Sequence, residues 1–160
     1  MTNKAAVNYA WGRMLQLWFS AALFLGGVFA ISVFGPPIEA VIAPVLTDQV
    51  ATASRIGNKV TFEIDLIRHR AGCQYAGSEW AVHHGDRVGH LTVFNSEGRP
   101  VDAQGITLKP GRTIVGPFMT TLPNAFVEAD TIVGTVTYQC HPFWDITQTL
   151  GPVSVPPSPE

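Results

Sequence analysis

Between Met14 and Ile38 the chain carries no charged side chain, and no other stretch limits its fold as strongly. Within it, Met14–Phe34 (MLQLWFSAALFLGGVFAISVF) is 21 residues long, with Gln16, Ser20 and Ser32 as its only polar side chains. As an α-helix rising about 1.5 Å per residue it covers roughly 31 Å, close to the hydrocarbon thickness of a bilayer. The sequence therefore predicts a transmembrane helix over 14–35. Gly35-Pro36-Pro37 is expected to end it, since proline lacks the N–H that the helical ladder needs. Residues 36–44 then read as a linker.

The flanks set an orientation. Lys4 and Arg13 precede the span, whereas Glu39 and Asp48 are the first charges after it. Positive charge is retained on the cytoplasmic side, so residues 1–13 are expected inside. The rest of the chain would lie in the periplasm or extracellular space, anchored in the inner membrane. Tyr9, Trp11 and Trp18 gather on the N-terminal side, where amphipathic rings settle at headgroup level. A cleaved signal peptide is the competing reading, because Ala30-Ile31-Ser32 has small-x-small spacing. The apolar run nevertheless exceeds the 7–15 residues of a signal peptide's apolar region. No cysteine follows the run closely enough for a lipoprotein. Ala22, Gly26 and Ala30 form a small-xxx-small stripe, a candidate helix-packing face for self-association.

Composition agrees with a chain partly in lipid: 46% of residues are hydrophobic and 14% charged, against roughly 25% charged in an average soluble domain. Net charge is −2 and there is no basic run, which argues against nucleic acid as a partner. Every one of the 12 acidic residues lies at or beyond Glu39.

Beyond the linker the periodicity changes to two. Val60, Phe62, Ile64 and Leu66 alternate with Thr61, Glu63 and Asp65, the pattern of a strand with one buried face. Gly57-Asn58 before it matches a short hairpin turn. Arg68 and Arg70 continue the buried phase, so the strand is expected to end or bulge near Ile67. Val45–Arg55 reads as a first strand, with a juxtamembrane helix as its alternative. Further runs cover Glu79–His84, Arg87–Phe94, Arg112–Thr120, Thr131–Cys140 and Thr147–Val155. About seven short strands separated by Gly/Pro turns indicate an antiparallel β-sandwich over residues 45–153. The proline-rich end, residues 154–160, is expected to be a disordered tail.

Two cysteines, Cys73 and Cys140, on the oxidising side of a membrane most simply form one disulfide. Tyr138-Gln139-Cys140 resembles the tyrosine-x-cysteine signature of immunoglobulin-type strands, and Trp80 lies between the cysteines as a core tryptophan does. Trp80 follows Cys73 by only seven residues, closer than that family's spacing, and Cys73 falls after its strand. The resemblance implies an all-β chain with an immunoglobulin-like or fibronectin-like sandwich behind one N-terminal transmembrane helix.

Chemistry-bearing motifs are sparse. Cys140-His141 invites comparison with copper sandwiches, which need a thiolate, two histidines and usually a later axial methionine. Here Met119 precedes Cys140 and no histidine follows His141. The metal candidates are His84 and His90 across a hairpin, with His141 apart; no cofactor is expected. No nucleophile elbow, HExxH or phosphate-binding glycine loop occurs, so the reading is not an enzyme. Phe143-Trp144, directly after Pro142, either closes the core beneath the disulfide or forms a partner contact. No Asn-x-Ser/Thr sequon occurs, as in bacterial or phage-encoded proteins. The expected role is binding or structural, toward another envelope protein or a second copy. A metal-binding or redox-accessory role is the alternative.

Overall fold

The structure, a computed structural model, describes residues 3–101 and 109–157, with side chains from Trp11 onward. The ring of Tyr9 and the last three residues of the tail lie outside that description. Among the described residues, a helix, α1 (Asn3–Ile42), leads into seven strands. These are β1 (Leu46–Ile56), β2 (Lys59–Arg68), β3 (Gln74–His84), β4 (Arg87–Leu91), β5 (Gly111–Thr121), β6 (Thr131–Gln139) and β7 (Ile146–Ser154).

The helix does not stop where Gly35-Pro36-Pro37 predicts. It runs through both prolines to Ile42, so residues 36–42 are helix and not linker. Proline disfavours a helical residue before it by clashing with that residue's Cβ, which Gly35 lacks. The two missing N–H groups are a cost that the packing of the next turn offsets, as described below. Trp11–Ile42 is long and apolar enough to cross a membrane.

The strands form two antiparallel sheets, ordered β1-β2-β5 and β4-β3-β6-β7, the arrangement of a β-sandwich. Ile56 pairs with Lys59 across a two-residue turn in which Gly57 takes φ +60°, a value glycine adopts without a Cβ penalty. The alternation in β2 has the predicted phase: Val60, Phe62, Ile64 and Leu66 are all buried. The ambiguous segment 45–55 is strand from Leu46 on, as its following turn suggested. The strand β2 also continues past Ile67 to Arg68, which pairs with Leu46 on one side and Gly111 on the other. The strand thus ends one residue past Ile67, near the expected limit, although the Arg68 side chain stays inside at 6% exposure.

Trp80 is the centre of the core. Its ring meets Phe62 edge-on at 5.3 Å and Phe118 at 5.7 Å, and its Nε1–H donates to Ser78 Oγ at 3.1 Å. Directly across the ladder stands Gly134, where any Cβ would lie 2.6 Å from the indole. The glycine is what leaves room for the tryptophan. On one side the sheets are stitched by glutamines: Gln148 Oε1 accepts from the N–H groups of Val45 and Leu46, and Gln49 bonds Thr149 and Gly151.

The disulfide forms between Cys73 and Cys140. Gln74 pairs with Gln139, so the bond closes the next rung of the β3–β6 ladder and pins two neighbours within one sheet. The loop it closes spans 67 residues, which in the chain-entropy account contributes about 4 kcal/mol. At the far end the chain is also tied down. Ser154 pairs with Thr131, Val155 N–H donates to Asp130, and Arg55 Nη1 reaches Pro156 O. Residues 154–156 are therefore docked on the sandwich and not a free tail.

Gly134→Val should overpack the site against Trp80 and cost about 1–3 kcal/mol, read as a lower midpoint in thermal unfolding of the detergent-solubilised chain. An unchanged midpoint would mean that the indole has another place to go.

Candidate functional site

The last two turns of α1 have two unlike sides. Gly35, Pro36, Glu39 and Ala40 are half-buried, while Pro37, Ile38, Val41 and Ile42 are exposed. The i, i+4 spacing of each set is that of one helix face. The inward face meets the sandwich at the β2–β3 and β6–β7 loops. One oxygen of Glu39 takes an ion pair from Arg70 Nη1, and the other accepts the Trp144 indole N–H at 2.7 Å. The Trp144 ring lies against Gly35, where a Cβ would sit 3.3 Å from it. Ala40 packs against the core, and Ala43 N–H closes the helix end on Glu39 O at 2.9 Å. A carboxylate held by two donors, one of them a guanidinium, forms charge-assisted bonds that exceed ordinary neutral ones.

The β6–β7 loop is itself fixed at both ends, by the disulfide at Cys140 and by Ile146, which is fully buried. Within it, His141 stacks on Trp144 at 4.3 Å with 14° between planes, and Phe143 N–H donates to His141 Nδ1 at 3.3 Å. The two aromatics predicted as a pair thus separate. Trp144 is half-buried, packed against the core and the helix, whereas Phe143 is 81% exposed.

A cavity of about 240 Å³ lies between the sheets, on the side away from the glutamine stitches. Tyr75, Trp80, Phe118 and Tyr138 line it, with Arg68 at one end. The guanidinium reaches Lys109 O at 3.3 Å, while its buried Nε has no hydrogen-bond partner. Burial pushes the Tyr138 phenol above its ordinary pKa, and the neighbouring Arg68 charge pulls it the other way. On the outer face of β2, Arg112 of β5 forks onto Asp65 and holds that carboxyl below its ordinary range.

The histidines are dispersed. In the β3–β4 register His90 faces Ala81 and His84 faces Arg87, which puts His84 and His90 on opposite faces of the ladder. His83 shares the face of His90 instead. His84 Nδ1 lies 3.4 Å from Asp130, and His141 is at the helix joint. Among the described residues no three of His, Cys, Asp and Glu come together in a geometry able to hold a metal ion. Ala22, Gly26 and Ala30 lie on the exposed surface of α1.

The chain matches no protein-family model, no curated protein and no solved structure.

The sequence held a signal for this joint that the prolines obscured. Ile38-Glu39-Ala40-Val41-Ile42 has helical amphipathicity, with its one charge on the face opposite its large apolar side chains. The partner, Arg70, was visible only as a cation on the wrong phase of a strand.

Two outcomes test this description. Glu39→Ala should cost the end of the helix about 1–2 kcal/mol, a factor of roughly 5–30 in its opening. Amides 38–43 should then exchange hydrogen faster while those of β2 and β6 keep their protection; equal protection in the variant would show that the ion pair holds nothing. Arg68→Met should be neutral or stabilising in thermal unfolding, because a buried guanidinium without a carboxylate is readily replaced by an apolar chain of similar volume. A loss beyond about 2 kcal/mol would mean that the charge is well satisfied where it stands.

Proposed function

We propose that this chain is a single-pass, signal-anchored membrane protein that holds an immunoglobulin-like or fibronectin-like sandwich at a fixed height and orientation on the outer side of the cytoplasmic membrane. There it serves a binding or structural role in the envelope. One observation carries the reading: the apolar helix enters the sandwich without a linker and is locked to it through Glu39, Arg70 and Trp144. A segment destined for removal has no need of such a joint with the domain it delivers.

The fold type within the sandwich class is part of the proposal. In constant-type immunoglobulin domains the fourth strand stays with the first two, and the conserved disulfide joins the two sheets. Here β4 lies beside β3, and the disulfide joins neighbours of one sheet. Both features favour the fibronectin-like variant. Orientation rests on Lys4 and Arg13 before the span and on the disulfide, which needs an oxidising compartment.

The joint also bears on what the protein does. A domain meant to search for a distant target is usually tethered flexibly, whereas a spacer or a docking platform gains from a stiff mount. The second kind of role, toward another envelope protein or another copy of this chain, is the one we assign.

Protease added to spheroplasts should remove a C-terminal tag and leave an N-terminal tag until lysis, and the purified chain should have its full-length mass. A mature protein beginning after Ser32, or a C-terminal tag shielded in intact spheroplasts, would refute the anchored topology.

A further inference from the structure

The helix is longer than a membrane core requires. Trp11–Ile42 contains 32 residues, so at about 1.5 Å each it extends roughly 48 Å, against about 30 Å of hydrocarbon and 40–45 Å of whole bilayer. Tilt alone does not absorb the excess: fitting 48 Å into 30 Å needs roughly 50°, beyond the 0–40° found for membrane helices. With the span starting near Met14 and tilted by about 30°, within the range found for membrane helices, the turns from Pro36 to Ile42 lie at the depth of the headgroups.

Their side chains are arranged for that layer. Ile38, Val41 and Ile42 are 54%, 80% and 78% exposed, while the one charge, Glu39, is turned toward the sandwich. Water around this segment would select the reverse. The β6–β7 loop adds to the same region. Trp144 touches Gly35, nearer the span than Glu39, which Arg70 contacts. The residue beside it, Phe143, is the one strongly exposed aromatic of the sandwich among the described residues. Aromatic and aliphatic side chains lying at the boundary between headgroups and acyl chains are the signature of an interfacial contact.

We propose that the sandwich rests on the bilayer: Ile38, Val41 and Ile42 of the helix and Phe143 of the β6–β7 loop form a lipid-contacting collar in the outer headgroup layer. The proposal builds on the membrane-anchored reading. The collar sets the height of the domain, and the Glu39 joint sets its direction. The occupant is lipid by virtue of depth, since this apolar patch is continuous with the apolar surface of the span itself.

The test uses the full chain in phosphatidylcholine vesicles whose lipids carry bromine either near the headgroup end or near the methyl end of the acyl chain. Trp18 reports on the span, read as the difference between the Trp11→Phe chain and the Trp11→Phe, Trp18→Phe chain. In a Trp11→Phe, Trp18→Phe background, Phe143→Trp and, separately, Val41→Trp report on the collar, with the same background lacking either substitution as reference. Val88→Trp on the remote strand β4 is the aqueous control. The added tryptophans should be quenched severalfold more by the shallow bromines than by the deep ones, and protected from aqueous iodide. Quenching by iodide equal to that of the Val88→Trp control would overturn the collar, as would shielding from both iodide and bromine, which points to a protein contact. If Trp18 is itself untouched by either bromolipid, the membrane-anchored reading fails, a result distinct from failure of the collar alone.

Discussion

Glu39 is the only charged side chain between Arg13 and Asp48, and how it is satisfied decides how the helix meets the sandwich. Left in water it would let the chain unwind after Pro37; left facing lipid it would be costly. Its two oxygens instead take Arg70 and Trp144, which belong to loops on either side of the disulfide. The carboxylate thus ties together three segments far apart in sequence. The helix end, the β2–β3 loop and the β6–β7 loop become one unit. Helix continuation through two prolines follows from this, because the turn beyond them is held from outside.

Much of the sandwich was legible from sequence because strand faces are decided by local alternation. The β2 run from Val60 to Leu66 could hardly be read otherwise, and the turn at Gly57 fixed its pairing with β1. Three features escaped for reasons that are tertiary. The end of the helix was read at Gly35-Pro36-Pro37 from backbone chemistry, which knows nothing of Arg70. The strand β2 ends at Arg68 as its phase suggests, but the cation stays buried there because it finds an acceptor, Lys109 O, 41 residues away. His84 and His90 looked like hairpin neighbours, but an antiparallel register assigns faces by parity, and the turn at Gly85-Asp86 sets that parity.

The same contrast divides Phe143 from Trp144. Adjacent in sequence and alike in chemistry, they differ in fate because one has a partner of the right shape: Gly35 offers a flat, Cβ-free patch of helix for the indole. The pairing of Trp80 with Gly134 repeats the device inside the sandwich. In both places a large ring is accommodated by a glycine on the facing element, a relation that no local pattern reveals. Overpacking resists any larger residue there.

A stiff mount has a consequence for recognition. A nine-residue flexible linker, as first expected over 36–44, would let the domain wander with an end-to-end spread of roughly 17 Å. Any partner would then have to pay for stopping that motion, in addition to the usual cost of association. With the helix continuous and Glu39 engaged, that ordering has already been met by folding. Surfaces of the sandwich are held in one direction relative to the helix. The price is specificity of geometry: a partner must lie where the mount points. That is the behaviour the proposed structural or docking role requires, and it follows from one half-buried carboxylate placed five residues beyond Phe34.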